Sequence, residues 1–274
     1  MTVGSLLGRG RELLRSASNA AAELEAEVLL AHILGVPRAR LRSHPQAPVT
    51  AACQARYLDG IARCAGGEPL AYLTGKREFW SLDLTVTPAV LIPRPETELL
   101  VERALVLGTA AEARVADLGT GSGAVALALA RERPRWQIVA TDVSAAALAV
   151  ARANAAGLGA ARVEFLEGSW CAPLTGRFDL LVSNPPYVAA GDPALAALRF
   201  EPQLALTPGP DGLAALRTLA RAAPAHLAPG GWLLLEHGAT QGAAVRAELV
   251  AAGLAHVRSH RDLAGHERMT EGQR

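Results

Sequence analysis

The sequence predicts a parallel, doubly wound α/β sheet preceded by a small helical bundle. Three observations carry this. From Arg114 onward, short apolar runs alternate with helix-length segments, the signature of strand–helix–strand units. A glycine-rich turn, Gly119 to Gly123, follows the first of those strands and opens a helix. Before residue 75 the pattern is helical, and the composition changes there.

In chain order, Asn19 is placed to cap a helix running through Leu24, Val28, Ala31 and Leu34, with Glu23 in its first turn and Gly35 and Pro37 ending it. A further helix is expected over Ala51 to Cys64, stopped by Gly66-Gly67-Glu68-Pro69. Between residues 75 and 92, Phe79, Trp80, Leu82, Leu84 and Val86 nearly alternate, predicting a short hairpin or extended linker. Ile92-Pro93-Arg94-Pro95 breaks the chain, because each proline pushes the preceding residue out of the helical region. Glu96 to Leu107 reads as a helix with Glu96 and Glu98 in its first turn, where the dipole favours acid. Strands are predicted at Arg114 to Leu118, Gln137 to Thr141, Arg162 to Leu166, Asp179 to Ser183 and Trp232 to Glu236. Helices are predicted at Gly123 to Arg133, Ala145 to Ala156, Gly212 to His226 and Ala239 to Ala252. His256 to His260 and Glu267 to the end are candidates for the last strands, a terminal antiparallel hairpin being one arrangement.

Composition narrows the function. With 274 residues, 50% hydrophobic and 19% charged, the chain can bury a substantial core as one large or two modest domains. Its 27 basic and 26 acidic residues argue against a protein that lives by phosphate attraction. Cys53, Cys64 and Cys171 form no CxxC pair, so neither a disulfide framework nor a zinc pattern is expected, and a reducing cytoplasm fits. Apolar runs are no longer than Ala124 to Ala130, far short of the roughly 20 residues that span a bilayer. Arg9, Arg11, Glu12 and Arg15 interrupt the first residues, so no secretory leader is expected.

Two motifs carry chemistry. Asp117-Leu118-Gly119-Thr120-Gly121-Ser122-Gly123 suits a ligand that approaches the backbone closely. Gly119-x-Gly121-x-x-Ala124 satisfies the dinucleotide fingerprint, whereas Asp-x-Gly-x-Gly-x-Gly is the usual loop for S-adenosylmethionine. Asp142 ends the next strand, where an acid takes two ribose hydroxyls of either cofactor. Asp117 favours S-adenosylmethionine, since an acid there would crowd a pyrophosphate but suits a cationic amino acid end.

The second motif is an apolar strand, Asp179 to Ser183, running into Asn184-Pro185-Pro186-Tyr187. Ligands of open α/β sheets collect at the carboxyl ends of the strands, so Asn184 should share an edge with the glycine loop. The Asn184 amide oxygen and the Pro185 carbonyl can accept two hydrogens from a planar NH2 group, and Tyr187 can lie against its flat face. Such acceptors suit methylation of an sp2 nitrogen, because they stabilise the positive charge that develops during attack.

On these residues the chain resembles the HemK/PrmC-type protein-(glutamine N5) methyltransferases that modify peptide chain release factors. The resemblance runs through Ala26 to His32, Glu68 to Gly75 and Leu91-Ile92-Pro93-Arg94-Pro95-Glu96-Thr97-Glu98. It continues through Arg199 to Pro202, Gly212-Leu213, Leu235 to Gly238, and Arg261 to Gly265 with Arg268. It implies a class I S-adenosylmethionine-dependent methyltransferase: residues 1–74 a helical substrate-recognition domain, 75–92 a β-hairpin linker, 93–274 a Rossmann-like domain with a seven-stranded sheet. It implies methyl transfer to the glutamine of the Gly-Gly-Gln loop of class I release factors in the cytoplasm, with S-adenosylhomocysteine as product and no metal, membrane or stable nucleic-acid partner. By position it assigns Asp117, Gly119, Thr120, Gly121, Ser122, Gly123, Asp142, Trp170 and Asn184 to the cofactor, and Asn184, Pro185, Pro186 and Tyr187 to the glutamine amide. Ser169 departs from the family pattern, in which many relatives carry an acid before the aromatic. The competing expectation is an amino methyltransferase of nucleic-acid bases, whose exocyclic amines are also planar. Residues 1–80 carry ten Lys/Arg against seven Asp/Glu, only a mild basic excess. A fold retained only for binding and a nicotinamide oxidoreductase are weaker alternatives, since the first leaves both motifs idle and the second gives Asn-Pro-Pro-Tyr no role. Glu236-His237, lacking a third ligand, is a poor metal pair.

Overall fold

The computed structural model describes residues 1–274 and divides into two compact units, Met1–Lys76 and Arg77–Arg274. No helix in either is long and apolar enough to cross a membrane.

The first unit is helical: α1 Val3–Ser16, α2 Ala22–Leu34, α3 Arg38–Ser43, α4 Ala51–Ala65 and α5 Leu70–Thr74. α1 begins with a capping box in which Thr2 and Ser5 bond each other's backbone N–H groups. The sequence reading did not foresee α1, α3 or α5. Asn19 does not cap α2. Its side chain accepts from Ala21 N (2.8 Å) in a turn before the helix, whose N-cap is Ala21. The buried apolar face of α2 is Ala22, Ala26, Leu29, Leu30 and Ala31; of the expected stripe Ala31 is buried, Val28 and Leu34 are half-buried and Leu24 is exposed. Leu6, Leu14, Leu30, Tyr57 and Ile61 are fully buried at the centre of the bundle. Glu27 is also buried, and its carboxylate accepts from Arg11, Arg38 and Arg42, joining α1, α2 and α3.

The second unit opens with a hairpin, β1 Lys76–Phe79 and β2 Leu82–Thr85. Trp80 and Ser81 both have positive φ, as two-residue hairpin turns of matching twist require. Pro95–Thr97 forms a 3-10 turn leading into α6, Glu98–Leu107. Glu98 stands in the first turn of α6, as expected, and has a second partner. Its Oε1 accepts from Trp80 N at 2.9 Å and anchors the hairpin turn.

Then follow β3 Arg114–Leu118, α7 Ala124–Glu132, β4 Gln137–Asp142, α8 Ala145–Gly157, β5 Glu164–Glu167 and β6 Phe178–Ser183. The chain ends with α9 Ala194–Ala197, α10 Ala214–His226, β7 Leu227–Glu236, α11 Gly242–Ala251, β8 Ala255–Arg261 and β9 Glu267–Gln273. The seven strands stand in the order β5-β4-β3-β6-β7-β9-β8. The first five are parallel, and β9 runs antiparallel to both of its neighbours. β7 begins five residues before the expected Trp232, and β5 starts two residues after the expected Arg162.

Strand alternation builds two cores. Val115, Leu180, Val182 and Leu234 face α6, α7 and the hairpin. Ala116, Leu118, Leu181, Leu233 and Leu235 face α10 and α11. Successive side chains leave opposite faces of each strand, so a sheet covered on both sides reads as a continuous apolar run. Asn154 of α8 is buried and ties three segments together. It bonds Thr85 N (2.7 Å), Thr85 O (3.0 Å) and Ser122 O (2.9 Å). The strand order reverses between β3 and β6, and the crevice at such a switch point is where open α/β sheets bind ligands.

Candidate active site

A cavity of about 550 Å³ opens at that switch point, within the ~300–1,000 Å³ usual for small-molecule sites. It brings together Asp117, Gly119, Thr120, Gly121, Ser122, Asp142, Trp170, Asn184 and Pro186. Gly123, Pro185 and Tyr187 are not part of its wall.

The glycine loop is fixed from two sides. Gly119 N and Thr120 N donate to Thr141 O on the neighbouring strand, at 2.8 and 2.9 Å. Asp117 Oδ2 accepts from the Thr120 hydroxyl (2.7 Å) and from Ala126 N in α7 (3.2 Å). Burial raises the Asp117 carboxyl to about 6, against the pull of those two donors. Its buried carboxyl thus closes the loop while also bordering the cavity. Asp142, at the end of β4, accepts from Gly121 N with Oδ2 and from Ser144 N with Oδ1, each at 2.9 Å.

Gly119 has φ +76°, and a Cβ there would lie 3.0 Å from the Trp170 ring. A larger residue would strain the backbone and press on the indole, which rests on the loop itself. Trp170 holds φ +51°, uncommon for a bulky residue, and its carbonyl accepts from the Thr141 hydroxyl at 2.9 Å. The indole both packs on the α10 side of the sheet and lines the cavity. Ser169 is exposed at the cavity beside it.

Across the crevice, the Ser183 hydroxyl donates to Leu118 O at 2.6 Å and joins the ends of β6 and β3. Asn184 follows at once, and its Nδ2 lies 3.0 Å from the Thr97 hydroxyl. Pro185 is buried beneath the turn. Tyr187 turns away from the cavity, its hydroxyl donating to Glu236 Oε1 at 3.2 Å. Its backbone carbonyl accepts from Gln241 Nε2 at 3.0 Å. Burial and the adjacent Glu236 raise the phenol well above its ordinary value.

The sequence reading gave no role to two further walls. Val90, Leu91, Pro93 and Thr97 form one, and Pro202, Leu204, Ala205 and Pro208 form another. Glu201, buried, ties them by accepting from Ile92 N (3.0 Å) and the Arg94 guanidinium. The quoted Arg-Phe-Glu-Pro and Pro-Arg-Pro-Glu-Thr-Glu segments held this signal, but nothing in either alone says that they meet. Glu236 and His237 point apart. His237 Nδ1 donates to Gly238 O (2.9 Å), so its Nε2 accepts from the Thr270 hydroxyl (2.8 Å). Nowhere do three or more His, Cys, Asp or Glu side chains gather as a metal site would require.

The loop fits S-adenosylmethionine. It offers a cradle that a Cβ would fill, an acid at the end of β4, a buried carboxyl beneath the loop and an indole against it, all facing one cavity. Fold and site together define a class I S-adenosylmethionine-dependent methyltransferase. Residues 5–75 match the PrmC N-terminal domain and residues 95–200 the methyltransferase small domain. The release factor glutamine methyltransferase of Xylella fastidiosa is 54% identical, over 95% of this chain and 96% of that protein. That of Pseudomonas aeruginosa is 51% identical, over 92% of each. A methyltransferase from Pyrococcus furiosus shares the fold at TM-score 0.55 and 20% identity, covering 82% of this chain and 98% of that one. The chain belongs to the release factor glutamine methyltransferase family.

Proposed function

We propose that this chain methylates the side-chain amide nitrogen of the glutamine in the Gly-Gly-Gln motif of class I peptide chain release factors, in the cytoplasm, in support of translation termination. The observation that carries the reading is one cavity shared by the glycine loop, Asp142 and Asn184 in a chain of this family. Asp142 would hold the ribose, Asp117 and the glycine-loop backbone the amino acid end, and Trp170 the adenine. S-adenosylmethionine, when bound, supplies a methyl group activated by its sulfonium, and leaves as S-adenosylhomocysteine.

The chain's own residues supply position and charge. Asn184 Oδ1 and the Pro185 carbonyl would each accept a hydrogen of the glutamine NH2. Those bonds strengthen as the nitrogen becomes positive, so they favour the transition state over the ground state. No strong base is needed, because the cationic N-alkyl amide is acidic enough to lose its proton to water. Pro185 and Pro186 hold the turn rigid, and Tyr187, bonded to Glu236, would brace the turn from behind rather than lie against the amide. The helical unit, Met1–Lys76, would recognise the protein substrate.

The test is transfer of labelled methyl from S-adenosylmethionine to purified release factor, its Gly-Gly-Gln glutamine mutant, tRNA, rRNA and DNA side by side. Label in wild-type release factor and none in the glutamine mutant is expected. Label confined to a nucleic acid would overturn the substrate and leave the Asn184 chemistry standing.

A further inference from the structure

A side-chain amide has two ends of nearly equal shape, one accepting and one donating. Only the oxygen-forward orientation of Asn184 suits an acceptor NH2, since the reverse sets donor against donor. Asn184 Nδ2 lies 3.0 Å from Thr97 Oγ1. A hydroxyl cannot choose between the ends by itself, because it donates to an amide oxygen as readily as it accepts from an amide nitrogen.

The choice is made one residue further away. Glu236 is 1% exposed. Its Oε1 accepts from the Tyr187 hydroxyl at 3.2 Å, and its Oε2 is buried with no hydrogen bond. The carboxyl therefore has an uncommitted acceptor. Thr97 hydrogen-bonds Asn184 across the cavity wall, and it acts with Tyr187 to favour the charged form of this carboxyl against burial. A carboxylate only accepts. Turned toward that free oxygen, the Thr97 hydroxyl would leave its own oxygen to accept from Asn184 Nδ2, and Asn184 Oδ1 would turn to the cavity.

The geometry points to Thr97 and Glu236 as positioning residues that orient the Asn184 amide with its oxygen toward the acceptor nitrogen. The assignment rests on the reading of Asn184 given above. It explains why the threonine of the Pro-Arg-Pro-Glu-Thr-Glu segment is buried at the cavity wall.

The orientation depends on the charge of Glu236. Burial raises this carboxyl to about 7, with the negative charge of Glu96 adding to the rise and Thr97, Tyr187 and Arg268 opposing it. Once protonated, Glu236 can donate to Thr97, and the Thr97 proton is then free to meet Asn184 Oδ1 and reverse the amide. Turnover thus falls as pH drops below about 7.

The test is methyl transfer to purified class I release factor by wild type, Thr97→Val, Thr97→Ser and Glu236→Gln, with S-adenosylhomocysteine affinity measured for each. Thr97→Val, which keeps shape and removes the hydroxyl, is expected to lower kcat about 10–100-fold while KM and S-adenosylhomocysteine affinity stay within about twofold. Thr97→Ser recovers most of that loss. Glu236→Gln imitates the protonated acid, so its kcat is low at every pH and lacks the wild-type fall below neutrality. An equally active Thr97→Val, or a Thr97→Ser as impaired as Thr97→Val, overturns the assignment. Should Thr97→Val fail to fold, Glu236→Gln decides, and wild-type kcat with the acid limb intact overturns it. A wild type inactive on release factor overturns both readings together, whereas an active wild type with an active Thr97→Val overturns this one alone.

Discussion

The backbone N–H of Gly121 donates to Asp142 Oδ2 at 2.9 Å, so the two residues expected to embrace the cofactor already hold each other. Asp142→Ala should remove this brace along with the ribose contact proposed for it. Hydrogen bonds to a charged group are worth about 1.5–3 kcal/mol, so S-adenosylmethionine affinity should fall about 10–100-fold, measured by calorimetry. Asp142→Asn, which keeps an oxygen for Gly121, should fall less. Equal losses in the two variants would show that the brace contributes nothing.

Asn184→Ala should separate binding from chemistry. The side chain lines the cavity but supplies no bond that holds the glycine loop. Its kcat should drop about 100-fold or more with cofactor affinity largely kept. Weakened cofactor binding with intact kcat would reverse the roles given to Asn184 and Asp142.

Gly212 presses against the carbonyl of Tyr187. It holds φ +70°, and a Cβ there would approach Tyr187 O to 2.4 Å. Gly212→Ala should therefore destabilise the fold by about 1–3 kcal/mol in urea unfolding and displace the Asn-Pro-Pro-Tyr turn. Methyl transfer should suffer more than S-adenosylhomocysteine binding, because the turn and not the glycine loop is moved.

Glu236 should make the fold less stable as pH rises. Its folded-state carboxyl is raised from 4.5 to about 7 by burial. Between those values the unfolded chain gives up its proton first, and the folded state is progressively penalised. The full difference is roughly 3 kcal/mol. Glu236→Gln removes it, so the variant should gain on wild type between pH 4.5 and pH 8 in urea unfolding. A gain toward acid would reverse the sign. The same substitution should cost turnover, so stability and activity would move in opposite directions.

The helical unit can be tested by removal. A chain lacking Met1–Lys76 should keep its affinity for S-adenosylhomocysteine, since every residue of the cavity wall lies beyond Lys76. Its kcat/KM for release factor should fall by an order of magnitude or more. Undiminished kcat/KM would end the idea that this unit recognises the protein substrate.

The sheet was legible because its strands are short apolar runs that end in glycine, acid or Asn-Pro-Pro, and those endings name the strand edge where ligands gather. The helical unit was harder to read. Alanine favours helix everywhere and blurs amphipathic contrast, so the α2 stripe was drawn through exposed Leu24 when the buried face runs through Ala26 and Leu30. In α1 the apolar positions Leu6, Leu7 and Leu14 had helical spacing, but the interspersed arginines drew the reading toward the question of a leader. Within the site, residues adjacent in sequence were found and residues joined only in space were not. Thr97 and Glu236 lie far apart in the chain, and nothing local announces that Tyr187 of the turn reaches Glu236. The acids of the Pro-Arg-Pro-Glu-Thr-Glu segment had a local explanation in the helix dipole, yet Glu98 reaches the hairpin.

The place of β9 bears on synthesis as well as on the finished fold. Glu267–Gln273 lies between β7 and β8 and pairs with both. Met269 stands opposite Glu236, and Thr270 holds His237. A ribosome delivers these residues after every other strand, so a nascent chain carries an open β7 edge until they arrive. Docking of these residues also backs the end of β7, where Glu236 accepts from Tyr187 of the Asn-Pro-Pro-Tyr turn.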